Sequence, residues 1–440
     1  MNSWINMTAH TILDGRFSNY APRMRVATTP FSRNLSPRRN IPSRIMTTQK
    51  PLTRPERAIL LGDLLHPETG ESVGPSYLPL PSVRGANEAI NVFGPSGSGK
   101  SIVIRSLIEY FSIVEGRCVI IIDPTKNQYW SLKYPQTRAD MVSKLRAAGL
   151  EPVSIPEVEV FVPVYDVPVL GVRSMERDFH SRKENFISIR TSDLTSQGFF
   201  DLGDIDAGGK MYQLYLENAL NVEKSKRTID YIRYVLSSLM DDPNKKRSIA
   251  SLKNMFDPLA EQGIISDNGT DVKKRMMHAP RRDRPGRISV INLGTSSAND
   301  RRKNALVASI CNQIFDVIRD DLEMSPVIVL DEAKEFIAAR KGESSEATIT
   351  GFSRLHLQGR AWNRTVVYGF QNIQDVQGWA TGANTPITIA MTKSLVLKDG
   401  VTRLNGTGLG HIWINGSGDP KIPDMDFLTR FYPCRTKHID

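Results

Sequence analysis

The stretch Gly94–Ser101, "GPSGSGKS", restricts this chain more than any other eight residues. It follows an apolar run, "AINVF", and leads into "SIVIRSLIEYFSIVEG", whose apolar residues recur at three- and four-residue steps. The first pattern reads as a buried strand and the second as a helix. A glycine-rich turn between the two lets successive backbone N–H groups converge, and the helix N-terminus adds its positive end. The spacing G-x-x-x-x-G-K-S predicts a loop for a nucleoside triphosphate, built by Gly94, Pro95, Ser96, Gly97, Ser98, Gly99, Lys100 and Ser101. Lys100 meets the β- and γ-phosphates as a point charge, and Ser101 offers a hydroxyl to Mg2+. A loop of this kind commits the chain to an α/β sheet whose site lies at the C-terminal ends of the strands.

Three later segments fit such a sheet. "CVIIID" is a near-continuous apolar run, the pattern of a parallel strand buried on both faces, placed beside the loop and ending on Asp123. Asp123 is expected to cap the turn "DPTK" or support the site from behind. "PVIVLDEA" buries a strand and delivers Asp331 at its C-terminal end as a second Mg2+ ligand, acting through water. Glu332 follows, in position to orient or deprotonate the attacking water; the alternative is a helix-start residue that favours the helix dipole. "RTVVYGF" ends just before Gln371, whose amide can bond the attacking water or a γ-phosphate oxygen if its strand neighbours that of Asp331. Arg360 precedes this strand. Its rigid guanidinium suits charge developing on a γ-phosphate, in a neighbouring subunit rather than its own. Arg354 and Arg364 are rivals for that role.

The 440 residues are too many for one small core. With 40 % hydrophobic and 24 % charged residues the composition is that of an ordinary globular protein. The formal charge of +10 is uneven: residues 1–60 hold ten lysines and arginines against Asp14 and Glu56, and the remainder is close to neutral. Residues 1–57 read as a basic leader, largely disordered, with prolines in "SRNLSPRRNIPSR" breaking any helix. Residues 58–170 read as a strand-rich lead-in and the first part of an ATPase domain, 171–286 as an inserted, mainly helical subdomain, and 287–440 as the second part. A second basic segment, Lys273–Arg287, closes the helical part and is a candidate DNA contact or a solvated face. The spacing of Cys118, Cys311 and Cys434 fits no zinc site, and a reducing, cytoplasmic setting follows. No apolar stretch approaches the roughly 20 residues of a membrane span.

The ordered set "NVFGPSGSGKS", "CVIIIDP", "RISVINLG", "VIVLDEAKEF", "LQGRAWNRTVVYGFQNIQDV" and "GLGHIWING" resembles the HerA/FtsK superfamily of ring ATPases. The resemblance covers roughly residues 60–125 and 287–416. It implies a RecA-like P-loop fold and an ATP hydrolase that uses Mg2+. It also implies a homo-oligomeric, hexameric ring with double-stranded DNA through its centre and sites at subunit boundaries. Lys100 and Ser101 match the nucleotide ligands, Asp331 and Glu332 the metal and water-activating pair, Gln371 the polar sensor, and Arg360 the basic position before the sensor strand. Ala361 departs from the family, which often carries a second basic residue there. Viral genome packaging, with virion association and a capsid partner, is the first setting implied. A nuclease-partnered translocase, a conjugation pump with a membrane partner, and an ATP-controlled scaffold without translocation are the alternatives.

Overall fold

The computed structural model describes residues 57–82, 86–164, 185–203, 210–241, 246–294, 300–340, 344–362, 364–381, 384–396, 403–416, 419, 421–422 and 424–438. All lie in the compact unit Arg54–Asp440; the other unit, Met1–Thr53, and with it nearly all of the basic leader, lies outside the described residues. In chain order the strands are β1 (Ala58–Leu65), β2 (Ser72–Pro79), β3 (Glu88–Phe93), β4 (Val119–Asp123), β5 (Val158–Pro163) and β6 (Phe186–Ile187). A short pair follows, β7 (Ile189–Arg190) and β8 (Ile265–Ser266), then β9 (Ile288–Asn292) and β10 (Val327–Leu330). The last four are β11 (Thr365–Phe370), β12 (Ile387–Val396), β13 (Arg403–Ile414) and β14 (Met425–Phe431). Twelve of them form one sheet in the order β2-β1-β14-β13-β12-β3-β11-β10-β4-β9-β5-β6, and β7 pairs with β8.

From β12 to β6 every pairing is parallel. From β2 to β12 every pairing is antiparallel. The apolar runs explain the parallel half. Val119 and Ile121 of β4 enter one core, while Ile120 and Ile122 enter the other on the opposite face. Val327 and Val329 of β10 divide from Ile328 and Leu330 in the same way. With a period of two and both faces covered, such a strand is a near-continuous apolar run. Each buried branched side chain contributes roughly 1.5–3 kcal/mol of transfer free energy.

The sequence reading sets β4 beside the phosphate loop. The structure corrects this: β11 and β10 stand between β3 and β4. The chain leaves β3, skips two places, and fills them later from its C-terminal half. Strand order across a sheet is a long-range choice that local patterns do not encode.

The helices are α1 (Lys100–Glu109), α2 (Ala139–Ala147), α3 (Ser196–Gly203), α4 (Lys210–Leu220), α5 (Ile229–Leu239), α6 (Lys246–Glu261) and α7 (Val272–Met276). They are followed by α8 (Asp300–Asp320), α9 (Lys334–Ile337) and α10 (Glu346–Ser353). Thr228 caps α5 by accepting the Tyr231 N–H at 3.1 Å, and Asp271 caps α7 by accepting that of Lys274 at 3.1 Å. Phe199, Leu216, Ile232, Ile249 and Phe256 of α3–α6 share one core with Ile310 and Ile314 of α8 and with Ile120 and Ile122 of β4. The described helices between residues 171 and 286 therefore bury their apolar faces against the sheet layer.

Two segments that flank β11 leave regular α-helix. "ITGFSRLHLQGRAW" forms α10, then a wider π turn at Arg354–Gln358 and a 3-10 turn at Gly359–Trp362. "NIQDVQGWA" forms two 3-10 turns, Ile373–Asp375 and Gly378–Ala380.

Candidate nucleotide site

The phosphate loop is wedged between β3 and the hairpin of β12 and β13. Gly94 donates its N–H to the Phe370 carbonyl at 3.3 Å and has φ +149°. A Cβ there would stand 2.3 Å from the Met391 carbonyl oxygen, so only glycine fits. Gly97 and Gly99 also take positive φ, at 72° and 106°. From β13, Gly408 donates its N–H to the Ser98 carbonyl at 3.1 Å. Helix α1 begins at Lys100 without a side-chain cap; the Ile102 and Val103 N–H groups bond to the Gly99 carbonyl at 3.0 and 3.2 Å, which leaves the N–H groups of Lys100 and Ser101 to meet a ligand. The Lys100 ammonium is buried and donates to the Gly94 carbonyl at 2.8 Å. Burial lowers its pKa, against the attraction of Glu332.

Asp331, immediately after β10, is buried. Its Oδ2 accepts from the Tyr129 hydroxyl at 2.9 Å and from Gln128 Nε2 at 3.4 Å. The same Gln128 amide lies 3.3 Å from Ser101 Oγ, so one donor sets the two expected Mg2+ ligands side by side. Gly369 of β11 leaves room for the carboxylate, since a Cβ there would sit 2.7 Å from Asp331 Oδ1. A hydroxyl next to a carboxylate is a hard oxygen pair of the kind Mg2+ takes together with phosphate oxygens and water.

Glu332 stands in left-handed backbone, φ 51°, and its N–H donates to Asp331 Oδ1 at 3.1 Å. It precedes Ala333, the N-cap of α9, so its carboxylate is not in the first turn of that helix. Oε1 lies 2.9 Å from Lys126 Nζ, which is also 3.7 Å from Asp331 Oδ2. Asp123, fully buried at the end of β4, shapes the turn that carries Lys126. Its two oxygens accept the N–H groups of Lys126 and Gln128, each at 3.0 Å. Burial, and then the nearby Asp331, push the Asp123 pKa up. Burial and Asp331 do the same for Tyr129, which stays a phenol and a donor.

Lys126, Gln128 and Tyr129 line the site but belong to none of the sequence motifs. Their signal is positional. They follow within six residues of the end of β4, and β4 is the neighbour of β10.

Gln371 is exposed directly after β11. β11 lies between β3 and β10, with Phe370 opposite Phe93 and Tyr368 opposite Leu330. The condition attached to Gln371 is thus met in register, and the stacked rings of Phe93 and Phe370, 5.9 Å apart, tie the two strand ends together. The three arginines separate. Arg364 is buried; it donates to the Leu355 carbonyl at 2.8 Å, to the His356 carbonyl, and to Asn87 Oδ1 at 3.4 Å. These bonds satisfy the end of the π turn inside the chain and withdraw Arg364 from any role toward a neighbour. Arg354 lies over the Phe315 ring at 4.2 Å and donates to Asn312 Oδ1 at 3.1 Å, both on α8. The backbone of Arg360 is in the turn Gly359–Trp362 before β11; its side chain lies outside the described residues.

The segment Lys273–Arg287 is stapled down on the far side. Arg281 pairs with Glu157 at 2.7 Å, and Lys273 with Asp321 at 3.0 Å. Arg287 donates to the Arg275 carbonyl at 2.7 Å, and Arg275 to that of Phe186 at 2.8 Å. The Arg281 and Gly286 N–H groups bond to the Gly116 and Ser112 carbonyls, which lie ahead of β4. Much of its charge is spent within the chain, at the N-terminal ends of the parallel strands and away from the phosphate loop.

Residues 86–314 match the family described as "Helicase HerA, central domain". The matched range includes 171–286, which the residue-level resemblance leaves out. No curated protein matches the chain. Among solved structures it is similar to VirB4 of Thermoanaerobacter pseudethanolicus, with 15 % identity, TM-score 0.49, and 86 % of this chain and 96 % of that chain covered. It is also similar to the plasmid coupling protein TrwB in complex with ADP and Mg2+, with 10 % identity, TM-score 0.46, and 88 % and 97 % covered. The genome packaging NTPase B204 from Sulfolobus turreted icosahedral virus 2, in complex with sulfate, has 8 % identity, TM-score 0.32, and 80 % and 99 % covered. With a family match that spans more than half of its length and begins at the strand feeding the phosphate loop, the chain belongs to the HerA helicase central-domain family of P-loop ATPases.

Proposed function

We propose that this chain is an ATP-driven pump that moves double-stranded DNA through a homo-oligomeric, hexameric ring. The observation that carries the reading is the convergence of Lys100, Ser101, Asp331 and Glu332 on one cleft, with Gln371 directly after the strand between them. The Lys100 ammonium and the backbone N–H groups of Lys100 and Ser101 at the start of α1 bind the triphosphate. Mg2+, bound with the nucleotide, neutralises phosphate charge, and Ser101 and Asp331 are the residues that would hold it. Glu332 takes a proton from the attacking water, and Gln371 orients that water. Residues 171–286 act as an inserted part of the ATPase domain, between 58–170 and 287–440.

Arg360 serves a neighbour's site. Its turn lies before the start of β11, and the six residues of that strand span about 20 Å. A guanidinium there is out of reach of the phosphates at the other end of its own sheet. The setting we assign is viral genome packaging. The chemistry required is a duplex pump with a basic leader, and a capsid assembly is the partner to test. Co-purification with a nuclease or a conjugation protein, and not with capsid, would move the pump to another setting.

The test of the function is the purified chain with Mg·ATP and duplex DNA. Wild type should form rings in negative stain and hydrolyse ATP faster when duplex is added. Glu332→Gln should keep the rings and bound ATP while losing 10²-fold or more of turnover, the usual size of a positioned acid–base contribution. ATP-dependent assembly with no DNA-stimulated turnover would make the chain a scaffold and end the proposal.

A further inference from the structure

We infer that Lys126 is a positioning residue for hydrolysis, holding the Glu332 carboxylate against the attacking water. The inference rests on reading Glu332 as the general base. The two carboxylates after β10 are held very differently. Asp331 is buried and receives a phenol, an amide and a backbone N–H. The Glu332 side chain is 14 % exposed, and among the described residues the ammonium of Lys126, 2.9 Å from Oε1, is its ion-pair partner. Its backbone is in the left-handed region, which a glutamate adopts only when its surroundings impose it. A long side chain on such a backbone has several rotamers open to it, and a base must sit within hydrogen-bond reach of its proton. Lys126 occupies Oε1, so Oε2 is the oxygen that accepts the proton from water.

The rest of the turn does not depend on the Lys126 side chain. Asp123 pins the backbone on both sides of it, through the N–H groups of Lys126 and Gln128. The Lys126 side chain is 35 % exposed and has room to be shortened without a cavity. Its ammonium, 2.9 Å from Glu332 Oε1 and 3.7 Å from Asp331 Oδ2, is therefore spent on the site. A rival use, as a second phosphate cation, would appear in binding instead of turnover.

Lys126→Ala, Lys126→Arg, Glu332→Gln and the double variant Lys126→Ala/Glu332→Gln should be assayed as full-length protein, with melting curves to establish folding. We expect Lys126→Ala to lower kcat by about 10- to 100-fold, the size of a misplaced catalytic group. KM for Mg·ATP and the affinity for a non-hydrolysable ATP analogue should stay within about threefold. Lys126→Arg should recover most of kcat. The double variant should be no slower than Glu332→Gln, because residues that act as a unit are not additive. Normal or raised kcat in Lys126→Ala overturns the inference, as does a loss confined to analogue affinity or an additive double variant. An inactive Glu332→Gln beside a normal Lys126→Ala would remove only this inference; an active Glu332→Gln would remove the general-base reading together with it.

Discussion

Glu332 and Arg364 illustrate opposite uses of a charged side chain. Glu332 keeps a carboxylate at the mouth of the cleft on strained backbone, the kind of cost that a site imposes on its surroundings. Arg364 is buried and satisfies two carbonyls where the α10 segment widens into a π turn. Sequence places Arg364 beside Arg360 as a candidate donor to a neighbour. Burial decides otherwise, because a guanidinium that already closes a helix end cannot cross an interface. Arg364→Ala should lower unfolding free energy by about 2–4 kcal/mol, since buried carbonyls lose a charged donor. Nucleotide affinity should be unchanged. Urea unfolding and calorimetric titration with an ATP analogue check both halves, and unaltered stability would return Arg364 to the list of donors.

At the scale of elements, the phosphate loop depends on parts far away in the chain. The extension of β12 and β13 beyond the end of β3 forms its back wall, with a register shift between Thr392 and Ser394. The C-terminal segment is bound to α1 by hydrogen bonds to two buried side chains. Glu109 accepts the N–H groups of Arg435 and Thr436 at 3.1 and 2.7 Å, and Arg105 donates to the Lys437 carbonyl at 2.8 Å. The helix that follows the loop is therefore held from its far end as well. The β11 element makes the sharpest prediction, because its two ends carry Arg360 and Gln371. Rings mixed from Arg360→Ala and Lys100→Ala subunits should regain ATPase activity, although each pure ring is inactive. Some mixed interfaces then hold both a working loop and a donor. Mixed rings that stay inactive at every ratio would shift the role to Arg354.

At the scale of the whole molecule, buried charges stand at both ends of the parallel strands. The site lies at the C-terminal ends. At the opposite ends Glu88 is buried between Arg117, at 3.0 Å, and Arg57, and accepts from Thr365. Burial alone would raise the Glu88 pKa, but Arg117 and then Arg57 outweigh it and hold the carboxyl below its ordinary value. A carboxyl lowered in the folded state adds stability that is complete above its unfolded pKa, and the gain is lost as pH falls through the folded value. Glu88→Gln, which leaves buried guanidinium unpaired, should cost about 3–5 kcal/mol at pH 7. The gap to wild type should narrow below about pH 4. Urea midpoints of both proteins across pH 3–7 provide the check; a gap independent of pH would mean that Glu88 contributes no pH-linked stability.

The strand–loop–helix at residues 88–109 was legible because its chemistry is local: glycine spacing, an apolar run and a helical period lie next to one another in the chain. The buried strands ending at Asp123 and Asp331 were legible for the same reason, since a strand covered on both faces reads as a near-continuous apolar run. What could not be read was adjacency. That β11 and β10 separate β3 from β4, that Lys126, Gln128 and Tyr129 meet Asp331 and Glu332 over some 200 residues of chain, and that Arg364 is enclosed while Gln371 is exposed all follow from long-range packing. A residue's type and its neighbours in sequence set the chemistry it can perform. Which side chains face each other, and which charges are already spent, depends on the order of strands across the sheet, and that order is set by the joint burial of both its faces.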